Sequence, residues 1–207
     1  ANIYPTENKV KTGDTISLTI GYKGGLSSRV GYAAQDASQL PEGARDYVDA
    51  VVKPYYGAVV EWLEQVHCGM TGGQLYQRID EVLPKAEYHW SLCPGHLTAD
   101  EEWMSSPVYA GSEEVLESGM LFQIDIIPSV KGYAGTSAES TVALADEALR
   151  QEIQKHAPEL WKRMLLRRSY LENELNIRLN PDILPMCSTV AYLRPLLFNK
   201  AWAMSAK

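Results

Sequence analysis

The chain has 207 residues, 45% of them hydrophobic and 22% charged, with a net charge of −7. That length buries a sizeable core, and the acidic balance argues against sequence-independent nucleic-acid binding, which needs a basic face to neutralise phosphates. No apolar run approaches the ~20 residues of a membrane helix, and Cys68, Cys93 and Cys187 form no CxxC pair for zinc or redox chemistry, so a reduced, cytoplasmic setting is expected.

The first residue is not methionine, and a natural start upstream of residue 1 is one expectation. Alternating apolar residues in TISLTIGY, Thr15–Tyr22, predict a strand entered from the turn Thr12-Gly13-Asp14 and left through a hairpin turn at Lys23-Gly24-Gly25. From Ala44 to Cys68 the positions Val48, Val51, Val52, Tyr55, Val59, Trp62, Leu63 and Val66 recur at helical spacing. Pro54 is expected to kink or divide that helix, and Gly69 to end it. Thr71 and Gln74 form a capping-box signature for a second helix that carries Leu75, Ile79 and Leu83 and stops at Pro84.

Strand-like runs return between His89 and Val142, followed by a helical region over roughly 146–176 interrupted near Pro158. A tail with Leu193, Leu196, Leu197, Phe198 and Trp202 is expected to pack back onto the body. Strands, helices, strands, helices, with no low-complexity linker, predict one α+β domain over residues 1–207, with a C-terminal helical extension from about 145.

Two acids stand in otherwise apolar, strand-like runs: Asp125 in GMLFQIDIIP, Gly119–Pro128, and Glu139 in SAESTV, Ser137–Val142. An ionised carboxylate in a low-dielectric interior needs a partner, a metal or a cleft, because leaving it unpaired costs several kcal/mol or raises its pKa. His96, in Pro94-Gly95-His96, completes a candidate site of one histidine and two carboxylates. His67 and His156 fall at helix ends and read as structural. His89, before Trp90 in a strand-like segment, is a candidate to line the same cleft. The basic clump Lys162–Arg168 has glutamates on both flanks and reads as a solvated helix face.

Laying Gly13 on Gly119 places Ile16, Leu18, Thr19 and Ile20 on Phe122, Ile124, Asp125 and Ile126, and both segments end in a Lys-Gly turn, at Lys23-Gly24 and Lys131-Gly132. Such an internal repeat predicts two strands related by a pseudo-twofold axis.

In their order and spacing, four segments resemble the pita-bread family of methionine aminopeptidase, prolidase, aminopeptidase P and creatinase. GDTISLTIG looks like the family's first-half strand, PGH like its Gly-His segment, SGMLFQIDIIP like its Gly-Met strand and SAESTV like its closing acidic strand. The resemblance covers the chain to about Val142. It implies two related α+β halves around a central site, with the leading helices, and an N-terminal domain such as creatinase carries, missing from this chain. Exposed apolar surface on the first half then implies a homodimer or a fragment of a longer protein.

The family's peptidases hold two metal ions with two aspartates, one histidine and two glutamates. Carried over, the histidine is His96, the glutamates fall on Asp125 and Glu139, and the aspartates fall on Thr19 and Arg29. Two of five ligands are thereby lost and a cation is gained, so no cofactor is expected; if a divalent metal binds at all, its ligands are His96, Asp125 and Glu139. Arg29 is expected to pair with Asp125 or Glu139 in place of metal and to contact substrate. The family's further histidine, which helps to position substrate, falls on Trp103, and the acidic Asp100, Glu101 and Glu102 beside it favour a cationic ligand on an aromatic face.

Together these readings imply a homologue of the Xaa-Pro peptidases and creatinase that is not a dinuclear metallopeptidase. It is expected to act as a metal-independent C–N hydrolase on a small or cationic molecule or a short peptide, with His96, Asp125 and Glu139 as its catalytic groups. The alternatives are a binding or scaffold protein that has lost its chemistry, and an aminopeptidase with a single metal.

Overall fold

The structure, a computed structural model of the chain, describes residues 7–23, 25–101, 103 and 105–206. The expected first strand is β1, Thr15–Tyr22, and it pairs antiparallel with β2, Gly25–Tyr32. Gly24 of the turn between them lies outside the described residues.

Five further residues, Val48–Val52, form a π-helical turn that runs into α1, Lys53–Gln65, with Pro54 in the first turn of α1. A proline there loses no helical hydrogen bond, which is why it divides the helical stretch without breaking α1. The helix ends at Gln65, before Gly69. α2, Gly72–Val82, starts at the predicted capping box: Gln74 N donates to Thr71 Oγ1 at 3.2 Å and Thr71 N to Gln74 Oε1 at 2.8 Å. The short α3, Lys85–Tyr88, follows Pro84.

Beyond them come β3, His96–Leu97, β4, Leu121–Ile124, and β5, Ser137–Leu144. α4, Glu147–His156, and α5, Pro158–Asn173, are split at Pro158 as expected, and β6, Ile183–Pro185, closes the series. The sheet runs β1-β2-β5-β4-β3, with β6 also on β5, and its described pairings are antiparallel. Mixed helices on an antiparallel sheet make the α+β class predicted from the order of elements.

The repeat is visible in the backbone. Gly13 and Gly119 both take positive φ, +90° and +95°, just before β1 and β4. Gly13 N donates to Ala33 O at 3.0 Å and Ala33 N to Asp14 O at 2.8 Å; the equivalent bonds are Gly119 N to Leu144 O at 2.8 Å and Leu144 N to Met120 O at 2.9 Å. Each hairpin therefore closes at its open end in the same register. The two meet through β2 and β5, so the strands before Thr19 and Asp125 occupy matching places on either side of the seam.

Helix α1 covers one face of the sheet. Tyr55, Tyr56, Val59, Trp62 and Leu63 are buried there, Trp62 meets Phe122 edge-on at 6.1 Å, and Tyr55 Oη accepts from Ala138 N at 2.7 Å. Burial of each large apolar side chain contributes roughly 1.5–3 kcal/mol. The tail packs back as expected through buried Leu193 and Leu196, while Phe198 remains 44% exposed. No helix among the described residues is long and apolar enough to cross a membrane.

Candidate functional site

Residues on one face of a strand alternate, and residues directly opposite on neighbouring strands form rows. Thr19 on β1 lies opposite Ser28 on β2, and Ser28 opposite Glu139 on β5. The β4–β5 register, which places Ile124 opposite Ser140, continues one step to set Asp125 beside Glu139. Thr19, Ser28, Glu139 and Asp125 thus form one row across the seam, on the face turned away from α1. This row lines a cleft of about 330 Å³ together with Ser17, Thr136 and the apolar Ile126 and Pro128.

His96 enters from the next row, where it pairs with Gln123. It is 1% exposed, and its Nε2 stands 3.8 Å from Asp125 Oδ2. Its Nδ1 lies 3.0 Å from the Leu97 carbonyl. A carbonyl only accepts, so Nδ1 carries a proton, and Nε2 is the ring nitrogen turned towards the acids. One donor atom from each of His96, Asp125 and Glu139 lies within 4.8 Å of the others.

Gln123 fixes Glu139. Its Nε2 donates to the Leu26 carbonyl and, at 3.2 Å, to Glu139 Oε1, while its Oε1 accepts from Thr141 Oγ1 at 2.6 Å. The amide is oriented by its other two partners, so one carboxylate oxygen of Glu139 is held in a set place. Gln123 is buried two residues before Asp125, on the same face by strand alternation. That spacing was the signal that sequence reasoning passed over.

Arg29 requires a correction. As a neighbour of Ser28 on the strand it projects from the opposite face, towards the tail and not into the cleft. Its Nε donates to Tyr192 O at 2.6 Å, its Nη1 to Ser28 O at 2.5 Å and Glu139 O at 2.7 Å, and its Nη2 to Ser140 Oγ at 3.1 Å and to Thr189 O. Among the described residues it reaches no carboxylate, so the expected ion pair with Asp125 or Glu139 does not form. Burial holds its guanidinium pKa below the ordinary value, with the nearby Tyr55, Cys187 and Glu139 acting in the opposite sense. The β2 residue that stands in the row is Ser28, whose Oγ lies 3.0 Å from Thr19 Oγ1. A one-residue slip in hairpin register moves a side chain to the other face, which is the origin of the error.

His89 is also displaced from its expected setting. It is not in a strand but caps α3 in the left-handed conformation, φ +46°, and is exposed. Trp103 lies against His96, with ring centroids 4.0 Å apart and planes at 70°, and is 45% exposed. It therefore forms an aromatic wall at the edge of the histidine.

The donor set can be tested against a metal. One imidazole nitrogen and two carboxylates within 4.8 Å are a chemically suitable triad for a single divalent cation. A second ion would depend on Thr19 and Ser28, two neutral hydroxyls bonded to each other, which do not supply the anionic oxygens that a divalent cation favours.

Neither a family model nor a curated protein matches the chain. Solved structures do. A dipeptidase from Pyrococcus horikoshii OT3 is similar at a TM-score of 0.52 and 21% identity, over 70% of this chain and 40% of that one. The prolidase from Pyrococcus furiosus is similar at 0.51 and 21%, over 68% of this chain and 41% of its own. An X-Pro aminopeptidase from Thermotoga maritima MSB8 is similar at 0.51 and 18%, over 67% and 39%. The chain matches only about 40% of the length of these proteins, and the likeness is one of fold.

Proposed function

On the pita-bread fold that the chain shares with these structures, we propose that its cleft binds a small organic cation or the amino end of a short peptide and hydrolyses a C–N bond without a dinuclear metal centre. The observation that carries the reading is the asymmetry of the row: two carboxylates beside a histidine on one side of the seam, two hydroxyls on the other. Glu139, steadied by Gln123, holds the cationic group. His96 Nε2 takes a proton from a water that attacks the carbon of the scissile bond, Asp125 stabilises the resulting imidazolium, and the proton passes to the departing nitrogen. Trp103 walls the ligand beside His96.

A second reading, a single divalent cation on His96, Asp125 and Glu139, is favoured by the same 4.8 Å grouping. The proposal extends to a cytoplasmic protein in which residues 1–207 form one domain that self-associates through the exposed Leu18 and Ile20 of β1, 60% and 62% exposed. Sedimentation reads that part.

Calorimetry with methylguanidinium and with neutral methylurea, on chelator-treated protein, tests the central claim. The cation is expected to bind and methylurea not to bind, with Glu139→Gln weakening the cation by about tenfold or more. Binding without turnover of any amino-terminal peptide or guanidino compound selects the scaffold alternative. Two tightly held metal ions per chain by elemental analysis, with cleavage that depends on them, would overturn the proposal.

A further inference from the structure

Away from the cleft, one face of α5 and the stretch after β6 enclose a cavity of about 350 Å³, at the small end of the roughly 300–1,000 Å³ typical of small-molecule sites. α5 contributes Arg163, Leu166, Arg167 and Tyr170, which share a face by their spacing of three and four residues. Its floor is apolar, with Leu171 and Val190 each 2% exposed, and Leu166 on the rim is 71% exposed.

The charge is one-sided. Among the described residues no acidic one lines the cavity. Arg167 Nη1 donates to the Pro185 and Met186 carbonyls at 3.1 Å and 2.8 Å, which fixes its guanidinium in place. Its remaining N–H groups, and all those of Arg163, have no protein acceptor among the described residues. In a chain of net charge −7, two guanidinium groups beside an apolar floor and without a carboxylate are an unmatched positive field.

We propose that this cavity binds a small amphiphilic carboxylate, with its anionic head on Arg163 and Arg167 and its apolar body on Leu166, Leu171 and Val190. The planar fork of an arginine matches a carboxylate through two parallel hydrogen bonds, and the apolar floor excludes a bare inorganic anion as the preferred occupant. Cys187 reports on occupancy from the wall of the cavity, where its Sγ lies 3.3 Å from Thr189 Oγ1 and 3.8 Å from Ser27 Oγ.

The test uses octanoate as the probe, with octylammonium and acetate as controls, and follows alkylation of Cys187 by iodoacetamide through peptide mass spectrometry. Octanoate is expected to slow alkylation saturably, octylammonium and acetate to leave it unchanged, and Arg163→Glu to weaken octanoate by about tenfold. Calorimetry on Cys187→Ser is expected to give the same octanoate affinity as the unaltered chain, independently of thiol chemistry. Equal protection by octanoate and octylammonium, no octanoate binding by calorimetry, or an unchanged affinity in Arg163→Glu would each overturn the proposal. Protection that appears without probe and rises with protein concentration would place a second copy in the cavity and overturn it too.

Discussion

The two hairpins of the sheet share a register and differ in almost everything that register carries. Leu18 and Ile124 are repeat equivalents, as are Ile20 and Ile126, yet the first of each pair is 60% and 62% exposed and the second 0% and 1%. Helix α1 accounts for the contrast, since it lies over β4 and β5 and leaves the same face of β1 open. The polar row inverts the chemistry as well: Thr19 and Ser28 stand where the other hairpin has Asp125 and Glu139. A duplicated backbone therefore sets where side chains point, while the cover above and the residue types below decide what each half does.

The largest expected effect tests the cover. Ile124→Ala should cost about 2–5 kcal/mol, as loss of a fully buried aliphatic side chain does, and Leu18→Ala should stay within about 0.5 kcal/mol. Urea denaturation of both variants measures the difference. Equal costs would mean that Leu18 is covered in solution, and the contrast between the halves would then be one of partner and not of energy.

An intermediate effect tests the row. Thr19→Asp combined with Ser28→Asp restores four carboxylates around the seam, which should destabilise the metal-free protein by about 1–3 kcal/mol. Manganese should reverse this, contributing about 2.7 kcal/mol at a hundredfold excess over its dissociation constant. Melting curves with chelator and with manganese, together with metal content, read the outcome. A double variant that holds no more metal than the unaltered chain would show that the missing acids are not what separates the two halves.

The smallest effect concerns two thiols, one at the seam between the halves and one beside Asp182. Burial raises the Cys187 pKa, but hydrogen bonds from Thr189, Ser27 and Ser140 outweigh it and leave the group below its ordinary value. Burial and the neighbouring Asp182 push Cys68 up to about 11. The thiolate is the reactive form, so alkylation of Cys187 should rise at lower pH than alkylation of Cys68. Peptide-resolved alkylation rates across the pH range check the order, and coincident profiles would contradict it.

Much of this asymmetry was legible in the residues. Period-two alternation located β1, the Thr71 and Gln74 pair located the start of α2, and the Gly13 and Gly119 match located the two hairpins. The same pattern singled out His96, Asp125 and Glu139, which the fold brings together. Arg29 was misplaced for a physical reason. Counting along β1 and β2 crosses a turn whose length in register a linear sequence does not display, and an error of one residue exchanges Ser28 for Arg29 and the cleft for the opposite face. His89 was misplaced because three residues beside a tryptophan look extended, whereas Pro84 had already started a helical turn that needed a left-handed cap. Gln123 escaped notice because a neutral amide does not demand a partner as a buried carboxylate does, although its spacing from Asp125 put it on the same face.

The seam between β2 and β5 also sets an order of assembly. Each hairpin can zip from its own turn, and isolated hairpins close in about 1–10 μs. The bond from Arg29 Nη1 to the Glu139 carbonyl, by contrast, joins residues 110 positions apart. Contacts that distant repay the entropy of closing their loop only after both partners are largely formed. The row of hydroxyls and carboxylates therefore does not exist in a half-folded chain, and the acidic cleft comes into being in the same late event that docks the two hairpins.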